Sequence, residues 1–207
     1  MEQFDIYKDI AERTNGCVYL GIVGPVRTGK STFIKRFMDL LVLPNIENNY
    51  ARERAQDELP QSASGKNIMT TEPKFVPNEA VAITIGDDVN LKVRMIDCVG
   101  YIVPEAEGHM EEENTPRMVH TPWAQEPMPF LEAAELGTKK VITDHSTIGI
   151  VITTDGSVTD LSRESYQDAE QRVINELKQI GKPFVVLLNT SRPYSDDTMT
   201  LQQELSE

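Results

Sequence analysis

The sequence has 207 residues and carries 33 acidic against 20 basic side chains, which gives a net charge of -13 at pH 7. Apolar residues make up 39% of the chain, enough for a hydrophobic core, and no apolar run reaches the roughly 18–20 residues of a membrane-spanning helix. A surface this acidic repels the phosphates of nucleic acids and anionic lipids, so neither is expected as a direct partner. The charged N-terminus lacks the apolar core of a signal peptide, so a cytoplasmic location is expected.

The first half of the chain predicts a buried strand, an amphipathic helix and a hairpin. Residues 17–23 form a short apolar run before a glycine, which is typical of a buried parallel strand. Residues 30–42 carry apolar side chains at three- and four-residue steps, which predicts a helix that Pro44 ends. Residues 80–86 and 89–95 alternate apolar and polar side chains on either side of a short turn, as two antiparallel strands do.

The second half of the chain predicts helices that alternate with strands. The predicted elements are a helix over 130–144, a strand over 148–153, a helix over 163–180, a strand over 184–188 and a last helix from about residue 195. Such alternation is typical of a mostly parallel sheet that helices cover on both faces. Together with the hairpin, it predicts a three-layer α/β fold whose sheet is mostly parallel with one antiparallel strand.

Two stretches, 45–78 and 101–128, look like loops far longer than the usual 4–6 residues or so. Residues 51–59 within the first have a helical composition. Long loops of this kind are switch regions, subunit contacts or solvated connectors, and the sequence leaves all three open. We interpret residues 1–207 as one domain, and as the N-terminal part of a longer protein, because a closing strand would follow the last helix.

A phosphate-binding pattern lies between the first strand and the first long helix. Residues 24–31 read Gly-Pro-Val-Arg-Thr-Gly-Lys-Ser and match G-x-x-x-x-G-K-[S/T], so we predict that the α/β fold is that of a P-loop nucleoside triphosphatase. The glycines let main-chain N–H groups point at phosphate oxygens, and Lys30 reaches the β- and γ-phosphates. The hydroxyl of Ser31 is a hard oxygen ligand for Mg²⁺. The predicted nucleotide-binding residues here are Gly24, Pro25, Val26, Arg27, Thr28, Gly29, Lys30, Ser31 and Thr32.

Two further segments complete a predicted triphosphate and magnesium site. Asp97 ends a predicted strand and can hold Mg²⁺ through water, while the N–H of Gly100 can approach the γ-phosphate. Thr70 and Thr71 stand in the first long loop, where one threonine can offer its hydroxyl to Mg²⁺, and their spacing does not decide which. The predicted metal ligands are Ser31, Thr70, Thr71 and Asp97. The predicted catalytic residues are Lys30, Thr70, Thr71, Asp97 and Arg27.

The identity of the nucleotide and of a catalytic helper depends on positions that depart from the GTPase pattern. Asn189 stands where the guanine motif Asn-Lys-x-Asp begins, but Arg192 replaces its aspartate and cannot accept from guanine. ATP is therefore the expected nucleotide, with Asn189 and Arg192 at the base. Tyr101 stands where some GTPases place a glutamine, and a tyrosine cannot fill that role. Arg27 either supplies positive charge to the transition state or pairs with an acidic surface residue. A GTPase switch and a nucleotide-stabilised scaffold without turnover remain as alternatives.

Five segments of the chain closely resemble the stage IV sporulation protein A family. They are DIYKDIAERT, GPVRTGKSTFIKRFMDLLVLPNI, RAQDELPQSASGKNIMTTEPKFVPN, DCVGYIVP and HSTIGIVITTDG. The resemblance implies a domain related to the translation-factor class of GTPases that hydrolyses ATP. It matches the family's loop lysine and serine to Lys30 and Ser31, its strand-end aspartate to Asp97, and its sensor threonines to Thr70 and Thr71.

The resemblance also implies a cellular role. ATP hydrolysis in the family drives self-association into a static polymer, the basement layer of the spore coat. That layer lies in the mother-cell cytoplasm on the outer surface of the forespore. A small amphipathic peptide anchors it to the membrane, and the contacts with this peptide and with other coat proteins are expected beyond residue 207.

Overall fold

The structure is a computed structural model that describes residues 16–60, 72–85, 89–106 and 115–206. The helix that an amphipathic pattern predicts over residues 1–14 lies outside the described residues, as does the turn of the predicted hairpin at 86–88. Thr70 and Thr71 also lie outside them, so their predicted roles stay predictions.

One twisted sheet organises the described part of the chain. The strands of this main sheet are β1 (Cys17–Val23), β2 (Lys74–Ile85), β3 (Val89–Asp97), β6 (Ile148–Thr154) and β7 (Phe184–Asn189). Two short strands, β4 (Met118–Val119) and β5 (Met128–Pro129), form a small separate sheet. Within the described ranges, the main sheet has five strands in the order β2-β3-β1-β6-β7, and β2 is its antiparallel member. β4 pairs with β5 apart from it.

Helices follow the strands as the apolar periodicity predicts. They are α1 (Lys30–Phe37), α2 (Asn49–Asp57), α3 (Phe130–Lys140), α4 (Glu164–Gln179) and α5 (Asp196–Glu204). α1 continues into a π-helical turn at Met38–Val42, and α3 continues into another at Val141–His145. With these turns included, the predicted helices over 30–42 and 130–144 are confirmed in extent. None of the helices among the described residues combines the length and the apolar character that crossing a membrane requires.

The two faces of the sheet bury separate apolar clusters, because successive side chains of a strand point to opposite faces. Ile22 of β1 packs with Ile34 and Met38 of the α1 segment on one face. Val151 of β6 packs with Val173 of α4 on the other. The predicted three-layer α/β fold, with a mostly parallel sheet and one antiparallel strand, is confirmed.

β2 is longer than the sequence pattern predicts, since it begins at Lys74 rather than at residue 80. Pro77 is the reason for the wrong boundary, because proline usually interrupts a strand. Here the strand lies at the edge of the sheet, and its pairing with β3 shifts register between Val76 and Val81. An edge strand with a bulge tolerates a residue that has no N–H to donate.

The first predicted loop, 45–78, is therefore shorter than expected and contains a helix. α2 confirms the helical composition of 51–59, although it begins at Asn49. Asn48 caps it, since its side chain accepts a hydrogen bond from the N–H of Ala51 at 3.0 Å. The described part of the second predicted loop, 101–128, is irregular apart from the β4–β5 ladder.

Candidate functional site

The glycine-containing loop lies at the carboxyl end of β1, in the middle of the sheet, and leads directly into α1. Gly29 has a φ of +95°, and a Cβ placed on it would lie 2.6 Å from Nδ2 of Asn189. A side chain at this position would therefore displace the asparagine as well as strain the backbone. The same amide donates to the carbonyl oxygen of Thr28 at 3.0 Å, so β7 holds the loop from one side.

The segment that follows β3 holds the loop from the other side. The N–H of Val26 donates to the carbonyl oxygen of Tyr101 at 2.9 Å, and the N–H of Tyr101 donates to that of Gly24 at 3.3 Å. Within the loop, the hydroxyl of Thr28 donates to the carbonyl oxygen of Pro25 at 3.0 Å. The loop therefore has a defined shape before any phosphate arrives.

The ammonium group of Lys30 lies inside this loop. The side chain is buried, and its Nζ donates to the carbonyl oxygen of Pro25 at 2.5 Å. Burial lowers the pKa of Lys30 below its ordinary value, although the nearby Cys98 and Asp97 act in the opposite direction. A buried cation without full compensation is costly, and a bound polyphosphate would supply the missing negative charge.

Next to the lysine, Ser31 and Asp97 form a pair that fits a divalent cation. The hydroxyl of Ser31 donates to Oδ2 of Asp97 at 2.6 Å. Oδ1 of Asp97 is buried and, among the described residues, has no hydrogen-bond partner. Burial raises the pKa of the Asp97 carboxyl, against the hydrogen bond from Ser31 and the charge of Lys30. A buried acceptor oxygen without a partner, beside a hydroxyl oxygen, is the donor chemistry that Mg²⁺ prefers.

Gly100 closes the cluster on the side of β3. Its φ is +91°, and a Cβ built on it would lie 2.8 Å from Nζ of Lys30 and would overlap the carbonyl oxygen of Gly24. The structure thus brings Gly100 against the lysine, as the predicted site requires. Thr32, in contrast, is exposed on the first turn of α1.

Arg27 at the tip of the loop pairs with an acidic surface residue in this structure. Its guanidinium lies 2.5 Å from Oδ1 of Asp160, whose side chain is 48% exposed. Arg27 also has a φ of 63°, which is unusual for a residue other than glycine. The sequence left two roles open for Arg27, a charge for the transition state or an ion pair with an acidic surface residue. The structure shows the ion pair, and a catalytic role for Arg27 would require this pair to open.

Tyr101 is a structural residue, which the sequence pattern did not reveal. It is 2% exposed, its hydroxyl donates to Glu176, and the guanidinium of Arg172 lies 4.2 Å from the centre of its ring. Arg172 in turn pairs with Glu135 at 2.6 Å. The side chain of Tyr101 is therefore engaged between α3 and α4, and the expectation that it cannot replace a glutamine agrees with its position.

On the side where a base would lie, Asn189 ends β7 beside the loop, and Arg192 lies exposed two residues after Thr190. Thr190, which replaces the lysine of the guanine motif, donates to Oδ2 of Asp155 at 2.6 Å. Sequence reasoning missed Asp155. The signal was present, since an aspartate directly after a buried strand lies at the carboxyl edge where α/β sheets bind ligands.

The solved structures that resemble the chain are distant from it in both sequence and structure. A mutation variant of SsGBP is 19% identical, with a TM-score of 0.43, over 95% of this chain and 46% of its own. A dimerization-deficient mutant of Toc33 from Arabidopsis thaliana is 12% identical, with a TM-score of 0.39, over 93% of this chain and 79% of its own. Likeness at this level carries no functional implication.

Curated relatives are much closer. Stage IV sporulation protein A from Bacillus anthracis and that from Bacillus subtilis (strain 168) are each 62% identical over 207 residues, which is 100% of this chain and 42% of theirs. The protein of the same name from Clostridioides difficile (strain 630) is 62% identical over 203 residues. The chain thus spans less than half the length of these relatives. A family model described as stage IV sporulation protein A, ATPase domain, matches residues 1–207. The chain belongs to this family of ATPase domains.

Proposed function

We propose that this chain binds ATP with Mg²⁺ at the carboxyl edge of its sheet and hydrolyses the bond between the β- and γ-phosphates. The observation that carries the proposal is the cluster beneath the glycine loop, where the buried Lys30 meets the half-buried Ser31 and Asp97. Burial penalises the ammonium of Lys30 more than the nearby Asp97 offsets, and Oδ1 of Asp97 has no hydrogen-bond partner in the described part of the chain. A triphosphate with its cation would satisfy both.

The residues of the chain act by positioning and by neutralising charge, which is most of what phosphoryl transfer needs. Main-chain N–H groups of the loop and the N-terminus of α1 hold the phosphate oxygens. Lys30 places a positive charge beside them, and because its side chain is buried, this charge acts more strongly than it would in bulk water. Gly100 lets the main chain approach the γ-phosphate without a side chain in the way.

Ser31 and Asp97 would hold Mg²⁺, and Thr70 or Thr71 is proposed as a further ligand. When bound, the ion neutralises the charge that develops on the phosphate oxygens. The hydroxyl of Ser31 already donates to Asp97, so the two oxygens are placed together by the fold. We propose ATP rather than GTP because Arg192 has no acceptor for the guanine N–H groups.

At the level of the cell, we propose that hydrolysis drives self-association into a static polymer. This polymer would form the basement layer of the spore coat in the mother-cell cytoplasm, on the outer surface of the forespore. The name of the relatives, which refers to sporulation, and the resemblance of five segments support this role. Contacts with a small amphipathic anchoring peptide and with other coat proteins are proposed for the parts that relatives carry beyond this chain.

Phosphate release from ATP under multiple-turnover conditions tests the enzymatic proposal. Lys30→Ala should reduce the rate at least about 100-fold, since it removes the cation next to the transferred group. Lys35→Ala is the matched control, because Lys35 lies on α1 outside the loop and pairs with Asp39 at 2.9 Å. Equal rates in the parent and the Lys30 variant would show that hydrolysis takes place elsewhere.

Sedimentation of the chain with ATP, and with a non-hydrolysable analogue, tests the link to assembly. Pelleting that requires ATP and is absent with the analogue would support hydrolysis-driven self-association. Pelleting that is the same with both nucleotides would reject hydrolysis as its cause.

A nucleotide-stabilised scaffold without turnover is the second candidate, and one observation favours it. The side chain of Tyr101 is engaged with Glu176, and Arg27 is paired with Asp160, so both side chains are held by partners within the chain. Under this alternative, ATP would raise the melting temperature of the chain, but phosphate release would not exceed that of Lys30→Ala.

A further inference from the structure

The carboxylate of Asp155, the first residue after β6, accepts hydrogen bonds from three separate parts of the chain. Oδ1 accepts from the hydroxyl of Ser157 at 2.6 Å and from its N–H at 2.9 Å. Oδ2 accepts from the hydroxyl of Thr190 at 2.6 Å and from that of Thr198, at the start of α5, at 3.4 Å. One side chain thus joins the ends of β6 and β7 to α5.

The hydroxyl groups of Ser157 and Thr190 also hold the main chain that follows β7. We call this segment, residues 190–195, the base-side loop. The hydroxyl of Ser157 accepts from the N–H of Ser191 at 2.8 Å. The hydroxyl of Thr190 accepts from the N–H of Arg192 at 3.0 Å. At the far end of the loop, Ser195 caps α5 by accepting from the N–H of Thr198 at 3.3 Å. Asp155 therefore orients the hydroxyl groups that fix the loop backbone.

Asp155 is ionised at neutral pH, which strengthens this network. Partial burial raises the pKa of its carboxyl, but hydrogen bonds from Ser157, Thr190 and Thr198 outweigh that effect, and the pKa lies below its ordinary value. Hydrogen bonds to an ionised acceptor are roughly twice as strong as those between neutral groups.

The phosphate side of the site is held independently of Asp155. Asn189 lies opposite Thr154 in the register of β6 and β7, so strand pairing fixes its main chain. Its amide then holds the carbonyl oxygen of Thr28 in the phosphate loop. The base-side loop begins at the next residue, so removal of Asp155 should loosen the base side and leave the phosphate side in place.

We propose that Asp155 is a positioning residue for purine recognition, which shapes the base-side loop so that the chain prefers ATP over GTP. The inference rests on the proposed function, because the loop has a purine to recognise only if the glycine loop binds the triphosphate. Asp155 acts through Thr190 and Ser157, and its own lone pairs are used within the protein.

Titration calorimetry with ATP, GTP and inorganic tripolyphosphate tests this inference, since tripolyphosphate has charge but no base. Asp155→Ala should raise the Kd for ATP about tenfold and reduce the preference over GTP, while the Kd for tripolyphosphate stays within about twofold of the parent. Asp155→Asn keeps the shape and one acceptor oxygen, so it should show a smaller change in the same direction. Asp168→Asn, an exposed carboxylate on α4, is the control for net charge.

The outcomes separate this inference from the proposed function. A parent chain that binds neither ATP nor tripolyphosphate would reject the proposed function, and this inference with it. The inference alone is overturned if the parent binds ATP and tripolyphosphate and Asp155→Ala binds ATP as tightly as the parent does. It is also overturned if Asp155→Ala loses affinity for both ligands by the same factor. Should the alanine variant fail to fold, an Asp155→Asn variant with the ATP preference of the parent would overturn it equally.

Discussion

The phosphate side and the base side of the candidate site are held in place by different kinds of chemical group. On the phosphate side, the loop 24–31 is held through its own main chain, by hydrogen bonds to the main chain of Tyr101 and to the amide of Asn189, and its glycines leave no room for side chains. On the base side, the loop 190–195 is held by hydroxyl groups gathered around the carboxylate of Asp155.

This difference determines which side of the site can be predicted from the sequence. A cradle of main-chain N–H groups imposes glycines at fixed spacing, and that spacing is readable without a structure. A network of side chains can be assembled from many residue types at distant positions, as Asp155 and Thr190 show across 35 residues of the chain. Predictions that alter one side and spare the other therefore test the comparison.

The largest effect is expected for Gly100→Ala on the phosphate side. The new Cβ would overlap the carbonyl oxygen of Gly24, in a backbone conformation with φ of +91° that side chains rarely adopt. We expect the free energy of unfolding to fall by at least about 3 kcal/mol, measured by urea denaturation, with loss of ATP binding.

Gly181→Ala is the matched control, since Gly181 has a φ of +65° and a Cβ there would meet nothing within 4 Å. It should cost only about 1 kcal/mol, the strain of the backbone alone, and leave ATP binding unchanged. Equal losses in the two variants would contradict the close approach of Gly100 to the phosphate loop.

Asp97→Asn should separate stability from function. Burial raises the pKa of Asp97, so the ionised carboxylate destabilises the folded chain at neutral pH, and this penalty disappears as pH falls through the raised pKa. The variant should therefore unfold at a higher temperature than the parent at neutral pH, and the gap should close on acidification.

The functional half of this prediction concerns Mg²⁺. In the parent, Mg²⁺ should tighten ATP binding, and in Asp97→Asn this enhancement should be largely lost, because an amide is a poorer ligand than a carboxylate. Calorimetry with and without Mg²⁺ gives both values. An undiminished enhancement would remove Asp97 from the proposed metal ligands.

The smallest effect is expected on the base side, for Arg192→Asp. The substitution restores the acceptor of the guanine motif, but Thr190 still replaces its lysine, so we expect only about a fivefold gain of GTP relative to ATP. Competition of the two nucleotides at equal concentration measures the ratio. If the preference for GTP relative to ATP is the same in Arg192→Asp as in the parent, position 192 lies away from the base.

Most of the fold could be predicted from the sequence because its elements carry strong local patterns. The apolar run of β1 and the periodic apolar face of α1 each specify one kind of element. The start of β2 could not be predicted, because Pro77 lies at a bulge of an edge strand. Whether proline ends a strand depends on that strand's place in the sheet, which local sequence does not encode.

The motif spacing predicted that Lys30, Ser31 and Asp97 lie together, and the structure brings these three residues together, while Thr70 and Thr71 lie outside the described residues. The partner of Arg27 and the burial of Tyr101 could not, since both depend on α3, α4 and the loop between β6 and α4. Such contacts arise from tertiary packing rather than from a motif.

Titration of the parent chain with ATP in the presence of Mg²⁺ is the most direct test of the central claim. We expect saturable heat that fits one site per chain, weaker binding without Mg²⁺, and loss of the heat in Lys30→Ala but not in Lys35→Ala. The absence of any binding heat with ATP and Mg²⁺ would contradict it.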